Sequence, residues 1–100
     1  MSYTNKKVTW ESAGEVDTYN DIQYGSAVTI SVRKQPRQEL IRTSDGREIL
    51  CRSIFFVEPY VEPRAADIKR LDKLDGEKVE DTYVMCDRMN RPKMYRFITV

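Results

Sequence analysis

The sequence contains no histidine. This absence removes the side chain that most often acts as a general base, that usually activates a serine or cysteine nucleophile, and that zinc sites favour. The two cysteines, Cys51 and Cys86, are too few and too far apart for a zinc site. Because both lie in apolar surroundings, we expect a reduced, buried pair rather than a disulfide.

Glycine is also scarce, with four residues that occur singly and at turn positions. No glycine-rich phosphate loop is present. The acidic segment "DKLDGE" lacks the alternating ligands and the distant glutamate of a calcium loop, so it is typical of a solvated turn. We therefore expect no catalytic residues, no metal and no cofactor, and we expect that the protein is not an enzyme.

No apolar run approaches the roughly 20 residues that span a bilayer. The start, "MSYTNKKVTW", lacks the hydrophobic region of a signal peptide, which predicts a cytoplasmic protein. With 100 residues, 40% of them hydrophobic and 33% charged, the chain has the composition of a soluble globular protein. We expect one domain over residues 1–100.

Alternating apolar and polar residues dominate the pattern of the chain. In "SAVTISVRK", Val28, Ile30 and Val32 share one face, which predicts a half-buried strand, and Pro36 then interrupts its ladder. The tail "DTYVMCDRMNRPKMYRFITV" is typical of a terminal hairpin with strands near 82–88 and 93–100. Ala65, Ile68, Leu71 and Leu74 recur every three residues, which favours a short helical segment. Several strands with little helix predict an all-β fold, a small barrel or sandwich.

Asp45-Gly46 lies between two alternating segments and predicts a hairpin turn, because such turns need the positive φ that glycine adopts freely. Both faces of the second arm become apolar after Arg52, so we expect a hairpin with a buried base and a protruding tip. Residues 1–25 are polar and predict an extended arm with one short strand near 8–12, anchored by Trp10.

Charge is unevenly distributed, although the net charge is only +1. Residues 33–52 carry six bases and three acids, residues 58–81 five bases and eight acids, and residues 87–96 four bases and one acid. Arg42, Arg47 and Arg52, with aromatic neighbours, are compatible with an oligonucleotide-binding barrel. The interleaved acids equally fit a solvated ladder of cross-strand ion pairs.

The stretch "DTYNDIQYGSAVTISVRKQPRQELIRTSDGREILCRSIFFVEPYV" joins an aromatic-containing arm, a Tyr-Gly turn, an alternating strand ending in Arg33, a polar stretch to Asp45-Gly46, and a strand ending in Phe-Val. In this order it resembles the head-closure (stopper) or head-tail connector proteins of tailed bacteriophages. "LDKLDGEKV" and the terminal strands are similar to that family too, so the resemblance covers residues 8–100. The higher charge and the two prolines between residues 58 and 63 depart from it.

The resemblance implies a structural virion protein of the neck region, assembled in the host cytoplasm. Such proteins form a homo-oligomeric ring beneath the portal, contact portal or adaptor and tail proteins, lie close to packaged double-stranded DNA without specific binding, and retain that DNA. A hairpin between early strands points toward the channel, and the resemblance places this protruding hairpin at residues 34–49. In this sequence the channel-facing residues would be Arg37, Arg42, Asp45, Gly46 and Arg47.

A closed ring joins one surface of a subunit to a different surface of the next. The oppositely charged bands could supply those surfaces, and we expect assembly contacts at Trp10, Tyr19, Arg33, Arg88 and Arg91. Trp10 and Tyr19 fit equally well as residues that cap the barrel's own core. A tail-terminator or tail-completion ring and an autonomous oligonucleotide-binding module are the alternative functions.

Overall fold

The computed structural model describes residues 6–16, 19, 21–43 and 45–100. Its strands are β1 (Lys6–Glu11), β2 (Ala13–Val16), β3 (Ile22–Tyr24), β4 (Val28–Arg42), β5 (Glu48–Val57), β6 (Lys73–Leu74), β7 (Glu77–Cys86) and β8 (Pro92–Thr99). Six of these strands form a closed antiparallel barrel in the order β1-β4-β5-β8-β7-β6, and β2 and β3 form a separate two-stranded sheet. The expected all-β barrel is confirmed.

The barrel core follows from the two-residue period of the strands. Ile30 and Val32 point inward from β4, and Phe55 and Val57 point inward from β5, all nearly or fully buried. Inward-facing residues of the other barrel strands complete the cluster together with the loop after β5: Val8, Trp10, Ala65, Ile68, Leu74, Val79, Tyr95 and Phe97. The alternation seen in the sequence therefore selects the core face correctly.

A buried carboxylate connects the first strand to the second half of the chain. Asp72 is fully buried, and it accepts hydrogen bonds from Trp10 Nε1 (2.9 Å), from the Ala13 amide (2.8 Å) and from the Lys69 amide (3.1 Å). The ammonium of Lys69 lies 3.3 Å from the other side of the same carboxylate. Asp72 thus fixes the closure of the barrel at β1 and β6.

The expected extended arm over residues 1–25 needs correction in its described part. Residues 6–11 are a barrel strand paired with β4 and β6, and residues 13–16 pair with residues 22–24. Val8 and Trp10 supply the reason, since their burial in the core stabilises this segment more than an exposed arm could. Residues 1–5, 17, 18 and 20 of the expected arm lie outside the described residues.

The loop between β5 and β6 contains one turn of 3₁₀-helix at Pro63–Asp67 instead of the helix predicted from Ala65, Ile68, Leu71 and Leu74. Ala65, Ile68 and Leu74 are buried, so the spacing of three marked core positions but not a regular helix. Leu74 reaches the core from strand β6. Pro63 begins the turn, and the extended backbone at Ile68 (ψ 126°) and the positive φ at Leu71 (81°) end it.

Strand register places the two long hairpins at opposite ends of the barrel. Ser53 of β5 pairs with Thr99 of β8, and Val57 pairs with Tyr95. The hairpin of β4 and β5 therefore extends past the end marked by Ser53, while the hairpin of β7 and β8 extends past the end marked by Val57. We call residues 35–52 the first hairpin and residues 81–94 the second hairpin. The molecule measures 44 × 29 × 28 Å.

Candidate assembly surface

Both hairpins turn in the same way. In the first, the Thr43 amide donates to the Arg47 carbonyl (2.7 Å) and the Gly46 amide to the Thr43 carbonyl (3.0 Å), with Gly46 at φ +88°. In the second, Asp87, Asn90 and Arg91 repeat these bonds at 2.9 and 3.0 Å, with Asn90 at φ +59°. Each is a three-residue loop that closes on a left-handed residue. The predicted turn at Asp45-Gly46 is confirmed, with one residue more than a two-residue loop.

Two exposed arginines of the first hairpin, Arg37 and Arg42, are each paired with a nearby acid. Arg37 lies 3.2 Å from Glu39, beside an irregularity in the β4–β5 register between Pro36 and Glu39. Arg42 lies 3.5 Å from Glu48, its direct cross-strand partner. This is the arrangement expected of a solvated ladder, in which each exposed pair is worth little.

At the tip, Asp45 accepts hydrogen bonds from the Thr43 hydroxyl and from Arg47 Nε (2.8 Å). The pKa of Asp45 is lowered from 3.8 to about 2, mainly by the hydrogen bond from the Thr43 hydroxyl and to a smaller extent by Arg47. The hydrogen bonds to Asp45 and Glu80 raise the pKa of Arg47. The tip is therefore fully charged across the physiological pH range.

Arg47 also ties the first hairpin to strand β7. Its guanidinium lies 3.2 Å from the carboxylate of Glu80, which is the extra residue at a register shift in β7. Arg70 (3.5 Å) and Lys78 (3.8 Å) face the same carboxylate, which is only 11% exposed. Because Glu80 is largely shielded from water, this contact is stronger than the exposed ladder pairs.

The two faces of the first hairpin differ. On one face, Ile41 and Ile49 are half-buried and pack with the fully buried Cys51 against Ile54 and Ile98 on the outside of the barrel. On the other face, Leu40 and Leu50 form a directly opposed pair that is 70% and 63% exposed. An open depression of about 550 Å³ at the base of the hairpin is lined by Gln38, Leu50, Cys51, Arg52 and Val100.

The second hairpin has no comparable underside. Arg91 pairs with Asp87 (3.2 Å), but Arg88 and Lys93 are exposed and have no ion-pair partner among the described residues. Apolar side chains are exposed on both of its faces: Tyr83, Val84, Met85 and Met89, of which Met89 is 72% exposed. Of these residues, the sequence led only to the prediction of the arginines as assembly contacts. The uncharged run "TYVMC" is the sequence signal for the exposed apolar residues.

Between the hairpins, one row of side chains crosses four adjacent strands. Arg33 pairs with Phe56, Phe56 with Arg96, and Arg96 with Tyr83. The Arg96 guanidinium lies 4.9 Å from the centre of the Tyr83 ring, and Arg33 lies 3.8 Å from the Glu58 carboxylate. Among the described residues, Arg96 Nε is the one buried side-chain nitrogen or oxygen without a hydrogen-bond partner.

Of the two aromatic residues predicted to make assembly contacts, one is exposed and the other is buried. Tyr19 is 84% exposed, as an interface residue requires. Trp10 is only 8% exposed and is hydrogen-bonded to Asp72, so it caps the barrel's own core and is removed from the proposed interface. At least six of the eight acids in residues 58–81 form ion pairs within the chain, which reduces the acidic surface expected there: Glu58, Glu62, Asp72, Asp75, Glu77 and Glu80.

A polar network closes the barrel at the end of the first hairpin. The Lys34 ammonium lies 2.6 Å from Glu77 and 2.9 Å from Asp75, and Thr99 donates a hydrogen bond to Glu77 (2.8 Å). Burial alone would raise the pKa of Glu77, but the bonds from Lys34, Thr99 and Ser53 lower it. The ionised, hydrogen-bonded side chains of this network hold β4, β7 and β8 together.

Both cysteines are free: Cys51 is buried, and Cys86 is exposed, which corrects the expectation of a buried pair. Cys86 lies at the end of β7, where the hairpin has left the barrel. Burial raises the pKa of the Cys51 thiol. In the part of the chain that the structure covers, no cluster of histidine, cysteine or acidic residues could hold a metal ion, and no helix is long and apolar enough to cross a membrane.

Comparison with protein-family models, with curated proteins and with solved structures found no match for this chain.

Proposed function

We propose that this protein is a head-closure connector of a tailed bacteriophage, a ring subunit that lies beneath the portal, joins the head to the tail and retains the packaged DNA. One observation carries the proposal: a closed barrel presents two hairpins at opposite ends, each with exposed apolar side chains. A ring subunit between two neighbours needs a contact surface toward each of them. The sequence resemblance to connector proteins supports the same function.

In this proposal the first hairpin faces the channel through Arg37, Arg42, Asp45, Gly46 and Arg47. The ion pairs of these arginines support the role, because their charge is largely neutralised within the hairpin. A surface with little free positive charge attracts DNA phosphates weakly, so DNA can slide past it. The tie between Arg47 and Glu80 limits how far the tip can move.

Contacts between ring subunits would involve Tyr19, Arg33, Arg88 and Arg91, with Trp10 excluded by its burial. Arg88 is the best supported of these, since it lies at an exposed hairpin tip and has no ion-pair partner among the described residues. The internal pairing of the acidic segment means that apolar contacts, rather than charge bands alone, have to supply most of the binding energy.

The test is negative-stain imaging of the purified protein mixed with portal-bearing particles. We expect added ring density beneath the portal. Leu40→Asp and Met89→Asp alter exposed side chains at opposite ends of the molecule, and at least one should abolish that density. Lys7→Asp, exposed on β1, is the matched control and should leave it intact. Absence of ring density with the unaltered protein would overturn the proposal.

The channel role is tested separately by deletion of residues 42–47, joined by a short glycine linker. We expect a folded protein whose particles leak DNA, measured as nuclease-accessible DNA. Arg47→Gln keeps the hairpin length but removes the tie to Glu80, so it separates hairpin length from hairpin position. Fully DNA-tight particles from the deletion variant would refute the channel assignment.

A tail-terminator or tail-completion ring would use the same two hairpins with a different neighbour. Mixing the protein with tail tubes instead of portal particles distinguishes the two roles. Ring density on the tail tube end alone would favour the tail-terminator role.

The row Arg33, Phe56, Arg96 and Tyr83 favours a second candidate, an autonomous oligonucleotide-binding module. Aromatic and arginine side chains in adjacent strands can stack on successive bases of a single strand. This candidate predicts that a labelled single-stranded oligonucleotide binds with submicromolar affinity, that Phe56→Ala weakens binding, and that rising salt abolishes it. The connector proposal predicts only weak binding.

A further inference from the structure

The outer edge of strand β7 is open from Thr82 to Cys86. β7 pairs with β6 only at Lys78 and Glu77, and no other described strand lies on that side. Every second residue of this stretch therefore directs its backbone N–H and C=O groups away from the sheet. All five residues are exposed and uncharged, and they are typical of β-strands: Thr82, Tyr83, Val84, Met85 and Cys86.

The open edges of the first hairpin are more strongly protected against strand addition than this one. Beyond its pairing with β1, strand β4 carries Pro36, a register irregularity, and the charged residues Arg37 and Glu39. Proline, bulges and charges are the features by which proteins prevent edge-to-edge pairing. The edge of β5 is bounded by Glu48 and Arg52. On β7, the charges Asp81 and Asp87 and the register shifts at Glu80 and between Met85 and Cys86 lie at the ends of an uncharged stretch of five residues. An uncharged edge of this length is accessible to a second strand.

We propose that two copies of this chain pair through the β7 edge, antiparallel and related by a two-fold axis at Val84. In this register Val84 faces Val84 of the second copy, Tyr83 faces Met85, and Thr82 faces Cys86. The pairing goes beyond the proposed ring function, because a two-fold contact joins copies in pairs and needs no neighbouring protein.

The residues opposed in this register are complementary. Tyr83 and Met85 meet twice, and sulfur–aromatic contacts are favourable. Five consecutive positions contain no charge, so no like charges face each other within the paired stretch. Asp81 would face Asp87 at each end, but Asp87 already accepts hydrogen bonds from Arg91 and from the Met89 amide. Pairing with the edge of β4 would instead place Arg37 and Glu39 against apolar residues.

The contact is short, so we expect a weak dimer that dissociates on dilution. Five paired residues bury less than the roughly 1,600 Å² of a standard protein interface. Sedimentation of the unaltered protein should show a monomer at low concentration and a growing dimer fraction as concentration rises. A monomer at every concentration would overturn the proposal.

Cysteine cross-linking tests the register. Thr82→Cys, with the native Cys86 retained, places a thiol opposite Cys86 of the second copy and should yield a dimer under mild oxidation. Thr82→Cys combined with Cys86→Ser should cross-link at least tenfold less, although it carries the same introduced thiol. The buried Cys51 does not compete. Val84→Cys combined with Cys86→Ser should also cross-link, since position 84 faces itself.

A charge at the two-fold axis supplies a test without oxidation. Val84→Lys places two ammonium groups opposite each other and should shift the dissociation constant at least tenfold upward. Leu50→Lys makes the same change at a more exposed residue of the first hairpin and should leave dimerisation unchanged. Equal cross-linking of both position-82 variants, or equal effects of the two lysines, would refute the β7 pairing; ring density beneath the portal is scored independently.

Discussion

The two hairpins share one turn geometry but differ in how they relate to the barrel. The first has a packed underside at Ile41 and Ile49, and its tip is held by Arg47. The second is exposed on both faces and ends in Arg88, which has no ion-pair partner among the described residues. Turn chemistry therefore determines where the chain reverses, while the residues along the strands determine whether the hairpin docks or projects.

The largest difference between the hairpins should appear in stability. Ile98 is 2% exposed beneath the first hairpin, so Ile98→Ala should lower the free energy of unfolding by about 2–4 kcal/mol. Met85→Ala in the second hairpin should cost about 0.5 kcal/mol or less. Urea denaturation measures both. Similar losses would show that the second hairpin is as well packed as the first.

The shared turn can be tested at its left-handed residues. Gly46→Ala should destabilise by about 1–2 kcal/mol, because φ is +88° there. Asn90→Ala at φ +59° should cost less, about 0.5–1 kcal/mol, because asparagine itself already bears part of the strain. Gly25→Ala is the control, since a Cβ there lies 3.9 Å from the Ser12 carbonyl oxygen, an ordinary contact distance, and the backbone is not in the left-handed region. Thermal unfolding of the three variants gives the comparison.

Removal of the tie should loosen the first hairpin but not the second. Glu80→Gln leaves Arg47 without its shielded partner and should cost about 1 kcal/mol, equivalent to about fivefold faster amide exchange at Arg47. Amides of the second hairpin should be unchanged. Asp87→Asn is the matched change there, and it should leave exchange in the first hairpin unaffected.

The smallest effect concerns acid titration at the tip. An NMR titration should give Asp45 a pKa of about 2, and Thr43→Val should raise it toward 3.8 because the hydroxyl is the main cause of the shift. Since the folded-state pKa is lowered, the contribution of Asp45 is complete above pH 3.8 and is lost as pH falls through about 2. An unchanged pKa in Thr43→Val would assign the shift to Arg47 instead.

The barrel and both long hairpins could be predicted from the sequence because local patterns encode them. Alternation at Ile30 and Val32 identified a core strand, and Asp45-Gly46 identified a turn. Burial of Trp10 was one of two alternatives that the sequence left open, because the choice between them depends on a hydrogen bond to Asp72, 62 positions away. The polar composition of residues 1–25 predicts an extended arm. Only the contacts with distant parts of the chain show that residues 6–11 form a barrel strand.

The candidate site was predicted less completely, for a related reason. Charged residues are easily identified in a sequence, and they led to the prediction of a site at the arginines of the first hairpin. In the structure, the acidic partners Glu39 and Glu48 neutralise the charge of two of these arginines. Exposed apolar residues such as Met89 look identical to core residues until a structure shows their exposure. The contact of Arg47 with Glu80 joins the turn of the first hairpin to a register shift in β7. No local sequence pattern connects these two positions.

The carboxylate of Asp72 also bears on the order of events during synthesis. Strand β1 is made before the other barrel strands, and β4 supplies its first pairing partner about 20 residues later. The partners that hold its tryptophan and its end emerge more than 60 residues later. Barrel closure therefore waits for the second half of the chain, and contacts of such long sequence separation slow folding. Until then Val8 and Trp10 lack most of the core residues that bury them in the folded protein.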